Sequence, residues 1–439
     1  MAIYSAEHRA RVMRWYAPAR VGLFYHWGLF TGGGGSGPKD WPAWNQPFTY
    51  PTVEAFESAA ADPDAIARNM VETAVYVGAR YLTLTAFHTS EHYCPLYPST
   101  VDGFVERMTK DYLGAVLREG ARRDIKVLLY FPSAAGMWAR CGDGDWMTEP
   151  YLEQTQYRTL LEAFLRELHA RYGDLIAGFW VDLLDIETTA TTLIRRLWPD
   201  AIILANTDTS FRMPEIDYCT TEVTTGPLDP PYNRPSALHK ANPWGALPPQ
   251  KDYNEDIPTC NQWWHNSPFI TEQAMRESPY AQDPTFLVKE MVSSLGQRGQ
   301  WNYAHGLGPT IDGTPPPLFQ PMLDNLHRVM AWAGEAIYRT TGGEGSPLQP
   351  GWSAGEAFFS VTVSLDDPDV LYVHVTNAPE HGPLCIQCAG RAIAAVTDLR
   401  TGTSLPFVNT GRLEIQSPEW NDVAEYGVKV LKIILTPGK

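Results

Sequence analysis

The sequence lacks the features that mark membrane proteins and nucleic-acid-binding proteins. No stretch of about eighteen consecutive apolar residues occurs, so no segment is predicted to span a membrane. The 34 Lys and Arg residues are outnumbered by 50 Asp and Glu, which gives a formal charge of −16. A phosphate-binding protein would need a basic stripe, and none is evident. We therefore expect neither a membrane nor a nucleic acid as a partner.

Cysteine motifs and targeting signals are lacking as well. The six cysteines are scattered, and the pair Cys385 and Cys388 has neither the second CxxC nor the His pair of a zinc site. His88 and His92 are four residues apart, but they follow a strand and lack the glutamate of an HExxH motif, so no metal is expected there. Residues 1–9 contain no apolar signal core, which together with reduced thiols predicts a cytoplasmic protein.

What the sequence does contain is a regular alternation of strand-like and helix-like segments. Eight short apolar runs predict strands over residues 21–27, 81–87, 126–131, 176–182, 201–205, 218–221, 259–264 and 301–305. Segments with helical periodicity are found at residues 62–78, 107–123, 153–172, 188–197, 283–295 and 319–333. This alternation predicts an α/β protein with a parallel sheet, and eight strands favour a closed (β/α)8 TIM-like barrel.

After a glycine-rich segment at residues 342–345 the pattern changes. Short β-prone runs separated by turn residues are found at 358–363, 370–376, 385–388, 392–399 and 428–435. Their spacing predicts a small antiparallel β-sandwich. We thus predict a catalytic (β/α)8-like barrel over residues 1–342 and a C-terminal β-sandwich over residues 343–439.

Two carboxylates stand where predicted strands end. Asp182 closes the apolar run 176–182, and Glu222 follows the short run 218–221. Catalytic groups of β/α barrels lie at the carboxyl ends of the strands. Glycoside hydrolysis needs two carboxylates, one that protonates the leaving oxygen and one that meets the anomeric carbon. The alternatives are a loop or N-cap role for Asp182, and another acid in place of Glu222, namely Glu91, Glu187 or Glu255.

Histidine and tryptophan residues accompany these carboxylates. His26 and His88 end the first two predicted strands on the same face, where they could bind sugar hydroxyls or be core histidines bonded to the backbone. Trp180 precedes Asp182 by two residues, so both should point into the barrel. It could carry the apolar face of a sugar or fill the barrel. Trp264, near the seventh strand end, could form a subsite wall or pack in the core.

Six segments carry sequence motifs in a fixed order along the chain. They are Val21–Gly28 (VGLFYHWG), Gly78–His88 (GARYLTLTAFH), Phe179–Asp182 (FWVD), Asp217–Glu222 (DYCTTE), Gly308–Gly313 (GPTIDG) and Gly334–Tyr338 (GEAIY). In order and spacing they resemble glycoside hydrolase family 29, the α-L-fucosidases, over nearly the whole chain.

This resemblance implies a retaining exo-glycosidase that releases a terminal α-L-fucosyl residue through a covalent glycosyl-enzyme. Asp182 would be the nucleophile and Glu222 the general acid and base. The sugar would be bound by His26, His88, Trp180, Trp264 and, from the first loop, Trp44. No cofactor or metal is needed, because Asp182 stabilises the oxocarbenium-like transition state. The expected partner is a glycoside or oligosaccharide, and the oligomeric state is left open.

The sequence departs from the family pattern where sugar hydroxyls are bound. His88 is followed by Thr89-Ser90-Glu91-His92 rather than by a second histidine. Residues 206–208, Asn-Thr-Asp, lack the arginine that often follows the fifth strand, and the first loop has its own pattern at residues 40–45. Two alternatives follow: a related glycosidase for a different terminal sugar, and a catalytically silent sugar-binding barrel.

The segment 223–258 is rich in proline, glycine and asparagine and begins directly after Glu222. A proline-rich loop at the rim of the site would be semi-rigid. We expect it to shape the leaving-group side, with a structural lid or an oligomer contact as the alternative.

Overall fold

The protein is described by a computed structural model. The described residues are 6–29, 31, 50, 52–88, 94–104, 106–133, 153–182, 189–206, 215–221, 259–264, 283–297, 300–304, 309–343, 346–348, 351–352, 357–416 and 419–437.

A parallel sheet of eight strands forms the first part of the fold. The strands are β1 Val21–Tyr25, β2 Tyr81–Thr85, β3 Lys126–Pro132, β4 Ile176–Asp182, β5 Ile202–Asn206, β6 Tyr218–Thr221, β7 Thr259–Trp264 and β8 Gln300–Ala304. Neighbouring strands pair in chain order, and β8 pairs in parallel with β1, so the sheet curls back on itself. The first two strands end earlier than predicted, so His26 and His88 lie just beyond them.

Nine α-helices lie within the described residues. They are α1 Ala6–Ala19, α2 Val53–Ala59, α3 Pro63–Tyr76, α4 Tyr112–Arg122, α5 Gln154–Tyr172, α6 Thr189–Leu197, α7 Phe286–Gln297, α8 Gln320–Ile337 and α9 Asn421–Tyr426. None of these is long and apolar enough to cross a membrane.

Side-chain caps mark the starts of α3 and α4. The Asp62 carboxylate accepts hydrogen bonds from the backbone N–H groups of Asp64 and Ala65, so it caps α3 where the predicted helical segment begins. Helix α4 begins at Tyr112, five residues later than predicted, because the Asp111 side chain caps it by accepting from Gly114.

Helix α1, which the sequence pattern did not predict, lies under the amino-terminal end of the barrel. Its residues Val12 and Tyr16 pack in one cluster with the inward-facing Tyr81 and Tyr218 of the strands. The Tyr16 ring lies 5.1 Å from that of Tyr81 and 4.9 Å from that of Tyr218. The helix therefore closes this end of the barrel interior with apolar contacts.

Two antiparallel sheets make up the C-terminal part. Their strands are β9 Thr340–Gly342, β10 Gly351–Trp352, β11 Phe358–Ser364, β12 Val370–Asn377, β13 Leu384–Gln387, β14 Ile393–Asp398, β15 Phe407–Asn409, β16 Arg412–Ile415 and β17 Lys429–Leu435. The larger sheet has the order β10-β11-β12-β17-β14, with β9 paired to β11, and the smaller has the order β13-β16-β15. Side chains of both sheets share one buried core.

Helix α7 joins the two parts of the molecule. Ser360 of β11 donates a hydrogen bond of 2.8 Å to the carbonyl oxygen of Val292, and a Cβ at Gly296 would lie 2.4 Å from that of Ser360. The helix must therefore have a glycine here, because the sheet backbone approaches too closely for a side chain.

The predicted α/β class, a curled parallel sheet followed by an antiparallel sheet domain, is confirmed. The full alternation of eight strands with eight helices stays a prediction, because residues 207–214 and 222–258, before and after β6, lie outside the described residues.

Candidate active site

Polar side chains gather inside the barrel at the carboxyl ends of its first four strands. His26 follows β1, His88 follows β2, Tyr130 lies near the end of β3, and Asp182 ends β4. The register places Tyr130 beside Trp180 and Pro132 beside Asp182. Parallel strands bring their carboxyl ends to one edge, so residues as distant in the sequence as His26 and Asp182 lie at the same end of the barrel.

The two histidines contact each other and the ring of Tyr130. The centroids of the His26 and His88 rings are 5.3 Å apart, with the rings edge to face. Tyr130 stacks on His88 at 5.5 Å and meets the edge of His26 at 5.3 Å. The two histidines therefore lie side by side at the ends of neighbouring strands.

Burial keeps both imidazoles neutral. His26 is 7% exposed and His88 6%. Desolvation lowers the pKa of His88 to about 3, and desolvation with the neighbouring His88 lowers the pKa of His26 well below its usual value. A neutral imidazole has one N–H donor and one acceptor nitrogen, a combination that suits sugar hydroxyls.

Asp182 is 8% exposed and accepts a hydrogen bond of 2.5 Å from the Tyr130 hydroxyl. This tyrosine was missed in the sequence analysis, although the pattern of β3 contained the signal. Leu128 and Tyr130 alternate with the outward-facing Leu129 and Phe131, so the strand pattern places the phenol inside the barrel. The phenol donates to one carboxylate oxygen and can thereby orient the group.

Trp180 lies one layer below Asp182, as the two-residue spacing predicts. Its side chain is fully buried, and its ring is 5.0 Å from that of Phe24 in an edge-to-face arrangement. Among the described residues its indole N–H has no hydrogen-bond partner. These contacts make Trp180 part of the apolar floor under the histidines and the aspartate.

Comparison with known families identifies the protein class. Residues 3–335 match the family model described as alpha-L-fucosidase. The chain belongs to the α-L-fucosidase family. It is therefore a glycoside hydrolase by family, and the motif resemblance is confirmed. A comparison with curated proteins finds no match.

Solved structures of bacterial α-L-fucosidases have the same fold. Isoenzyme 1 from Paenibacillus thiaminolyticus is 19% identical with a TM-score of 0.71, covering 98% of this chain and 100% of that chain. A Bacteroides thetaiotaomicron family 29 enzyme, trapped as a covalent intermediate with 2-fluoro-fucosyl fluoride, is 18% identical with a TM-score of 0.67, covering 96% and 95%. The Thermotoga maritima enzyme in complex with fucose is 18% identical with a TM-score of 0.64, covering 96% of each chain.

Several residues predicted for this α-L-fucosidase family member cannot be placed. Glu222 and Trp44 lie outside the described residues, as do the rival acids and the loop 223–258. The backbone of Trp264 is described as the last residue of β7, but its side chain is not. Within the described part of the chain, no group of three His, Cys, Asp or Glu side chains is arranged to hold a metal ion.

Proposed function

We propose that this protein is a retaining exo-glycoside hydrolase that releases a terminal α-L-fucosyl residue. The observation that carries the proposal is the position of Asp182. It ends a barrel strand and accepts a hydrogen bond from Tyr130, whose ring contacts two buried histidines, in a chain of the α-L-fucosidase family. Catalytic groups of such barrels lie at this end.

In the proposed mechanism an Asp182 oxygen attacks the anomeric carbon while the bond to the leaving oxygen breaks. Glu222 gives its proton to that oxygen, and a glycosyl ester forms on Asp182. Glu222 then takes a proton from water, whose oxygen attacks the anomeric carbon and releases Asp182. Two inversions retain the anomeric configuration, and retention implies carboxyl groups about 5–5.5 Å apart.

His26 and His88 would bind the sugar hydroxyls, with Trp180, Trp264 and Trp44 as apolar walls. The C6 methyl of fucose needs such a wall. That a Thermotoga relative is solved with fucose supports a sugar of this kind as the ligand. We further propose that residues 1–342 form a complete (β/α)8 barrel and residues 343–439 a separate β-sandwich.

A panel of 4-nitrophenyl glycosides tests the glycone. With α-L-fucoside, kcat/KM should exceed that with β-D-galactoside or α-L-rhamnoside by at least about tenfold, equal to about 1.4 kcal/mol.

Proton NMR of the early product tests retention and should detect the α-anomer. Asp182→Ala should lose turnover and regain it with azide, which fills the vacated space. Early formation of the β-anomer would contradict retention.

A second candidate is a related glycosidase for a different terminal sugar. It is favoured by the segment Thr89-Ser90-Glu91-His92 and by Asn206-Thr207-Asp208, which differ from the family pattern at hydroxyl-binding positions. The same panel of glycosides distinguishes the two candidates. Activity on another glycoside with none on the fucoside would exclude fucose as the terminal sugar and leave the proposed mechanism in place. Binding of sugars without turnover of any glycoside would instead indicate a catalytically silent barrel.

A further inference from the structure

The backbone directly after His26 is bonded by one side-chain hydroxyl. Thr85, the last residue of β2, accepts a hydrogen bond of 3.3 Å from the Trp27 N–H and donates one of 3.2 Å to the Trp27 carbonyl oxygen. Strand β1 ends at Tyr25, so these bonds replace the ladder at the point where the strand stops. Thr85 itself is fully buried.

The backbone of the next residue, Ala86, cannot replace the Thr85 hydroxyl as the hydrogen-bond partner of Trp27. The next residue of the β2 segment, Ala86, donates its N–H to the carbonyl oxygen of Tyr130 at 2.8 Å and accepts from the Leu96 N–H at 3.0 Å. The N–H and the carbonyl oxygen of Ala86 are therefore already bonded to residues other than Trp27. Without the Thr85 hydroxyl, the N–H and the carbonyl oxygen of Trp27 would both lose their described partner, which is unfavourable for buried backbone groups.

The side chain of Trp27 is held independently on the outside of the barrel. Its ring lies 4.8 Å from Phe56 and 5.1 Å from Tyr112, and its indole N–H donates to the Thr310 carbonyl oxygen at 3.2 Å. With the indole fixed by these contacts, the Thr85 hydroxyl sets how close the backbone of residues 26–27 lies to β2.

We propose that Thr85 is a positioning residue that holds His26 at its distance from His88. The hydroxyl bonds the residue next to His26 and belongs to the strand segment that carries His88 three positions later. A single group thus connects the two histidine-bearing strand ends, whose rings are 5.3 Å apart. The expected effect on activity rests on the proposed function, whereas the expected effect on the separation of His26 and His88 does not.

Thr85→Val tests the proposal, because valine has nearly the shape of threonine without the hydroxyl. A misplacement of about 1 Å can cost about 10²-fold in rate, so kcat/KM for the fucoside should fall roughly 10²-fold. The inhibition constant of a fucose-configured iminosugar should rise in parallel. Thr85→Ser, which keeps the hydroxyl, should stay within about threefold of wild type in both measurements.

Thr83→Val is the matched control. Thr83 is also fully buried on the inner face of β2, one layer below, and its hydroxyl has no hydrogen-bond partner among the described residues. This exchange should leave kcat/KM and the inhibition constant within about threefold of wild type. All assays are made well below the melting temperature of each variant, so a loss of stability alone would not change the inhibition constant.

Crystal structures of both variants give a readout that needs no activity. The separation of the His26 and His88 rings should change by about 0.5–1 Å in Thr85→Val and stay at 5.3 Å in Thr83→Val. If Thr85→Val does not fold, Thr85→Ala removes the same hydroxyl. Unchanged ring separation and kinetics without the hydroxyl would overturn the proposal. A wild-type enzyme inactive on every fucoside would overturn the proposed function alone, and the ring separation would still decide the role of Thr85.

Discussion

The two ends of the parallel barrel each bury a carboxylate, in opposite surroundings. At the carboxyl end, Asp182 accepts a hydrogen bond from a phenol whose ring contacts two imidazoles that burial keeps neutral. At the amino end, Asp217 precedes β6 and is 0% exposed. Arg11 donates two hydrogen bonds to one of its oxygens, and Arg195 donates to the other at 2.8 Å.

Asp217 has further partners that complete its coordination. The backbone N–H of Ile203 donates to it at 2.9 Å, and its own N–H donates to the carbonyl oxygen of the same residue. Arg11 belongs to α1, Arg195 to α6 and Ile203 to β5, so one carboxylate connects three elements. A buried carboxylate with two guanidinium partners and a backbone donor has little capacity left for chemistry.

Asp182 and Asp217 are both buried, so burial alone does not make a carboxylate reactive. Two guanidinium groups bond both oxygens of Asp217, so this carboxylate connects elements. The phenol that bonds Asp182 is a neutral partner, which suits the nucleophilic role proposed for this carboxylate. Substitutions at the two ends should therefore separate activity from stability.

The largest effect is expected from Asp182→Asn. Removal of the nucleophilic oxygen should lower kcat/KM by about 10⁴-fold, as for other essential active-site carboxylates. The melting temperature should stay the same or rise, because catalytic charges are often held at some cost in stability. Steady-state kinetics on the fucoside and a thermal melt measure the two quantities. Retention of more than a tenth of the activity would place the nucleophile elsewhere.

Asp217→Ala should lower stability while activity is largely kept, the reverse of Asp182→Asn. It leaves Arg11 and Arg195 buried without their counter-charge, so the free energy of unfolding should fall by about 3–5 kcal/mol. Assayed well below its melting temperature, the folded variant should keep kcat/KM within about threefold.

Asp200→Ala is the control for that loss of stability. Asp200 pairs with Arg14 of the same helix α1 at 2.8 Å, but both side chains are more than half exposed. An exposed ion pair contributes at most about 1 kcal/mol. Equal losses from the two substitutions in urea unfolding would mean that Asp217 is not a buried connection between elements.

Tyr130→Phe should have an intermediate effect confined to the carboxyl end. It removes the hydrogen bond to Asp182, and such a bond to a charged group contributes about 1.5–3 kcal/mol, so kcat/KM should fall about 10–100-fold. Tyr172→Phe is the control, because that hydroxyl also donates to a carboxylate, Asp111, at 2.7 Å but outside the barrel. Similar kinetics for both variants would show that the phenol does not act through Asp182.

The effect that is smallest at neutral pH is a pH dependence of stability from the neutral histidines, which develops only below about pH 6.5. The pKa of His88 is about 3 in the folded protein and near 6.5 in the unfolded chain, so between these values only the unfolded chain takes up the proton. Stability should therefore be lost as the pH falls from about 6.5 to about 3, by up to about 1.4 kcal/mol per pH unit for one site. His88→Gln should make this slope shallower in urea titrations, and an unchanged slope would contradict a buried neutral imidazole.

Local sequence patterns predicted the eight strands of the barrel, most of its helices and the strand end at Asp182. The period of apolar residues places the strands, Asp62 caps its helix through N–H groups two and three residues away, and the strand end at Asp182 is visible in its own run. These features depend on neighbours along the chain, so they can be predicted without a fold.

The partners that surround Asp182 and Asp217 depend on the tertiary structure and cannot be read from the local sequence. Arg11 is 206 residues from Asp217, and Tyr130 is 52 residues from Asp182. Asp217 precedes a strand-like run and Asp182 ends one, but neither local pattern shows that two arginines bond the first carboxylate and a phenol the second. Closure of the sheet brings distant strand ends together, and the charge and hydrogen bonds of those neighbours then give each aspartate its chemical character.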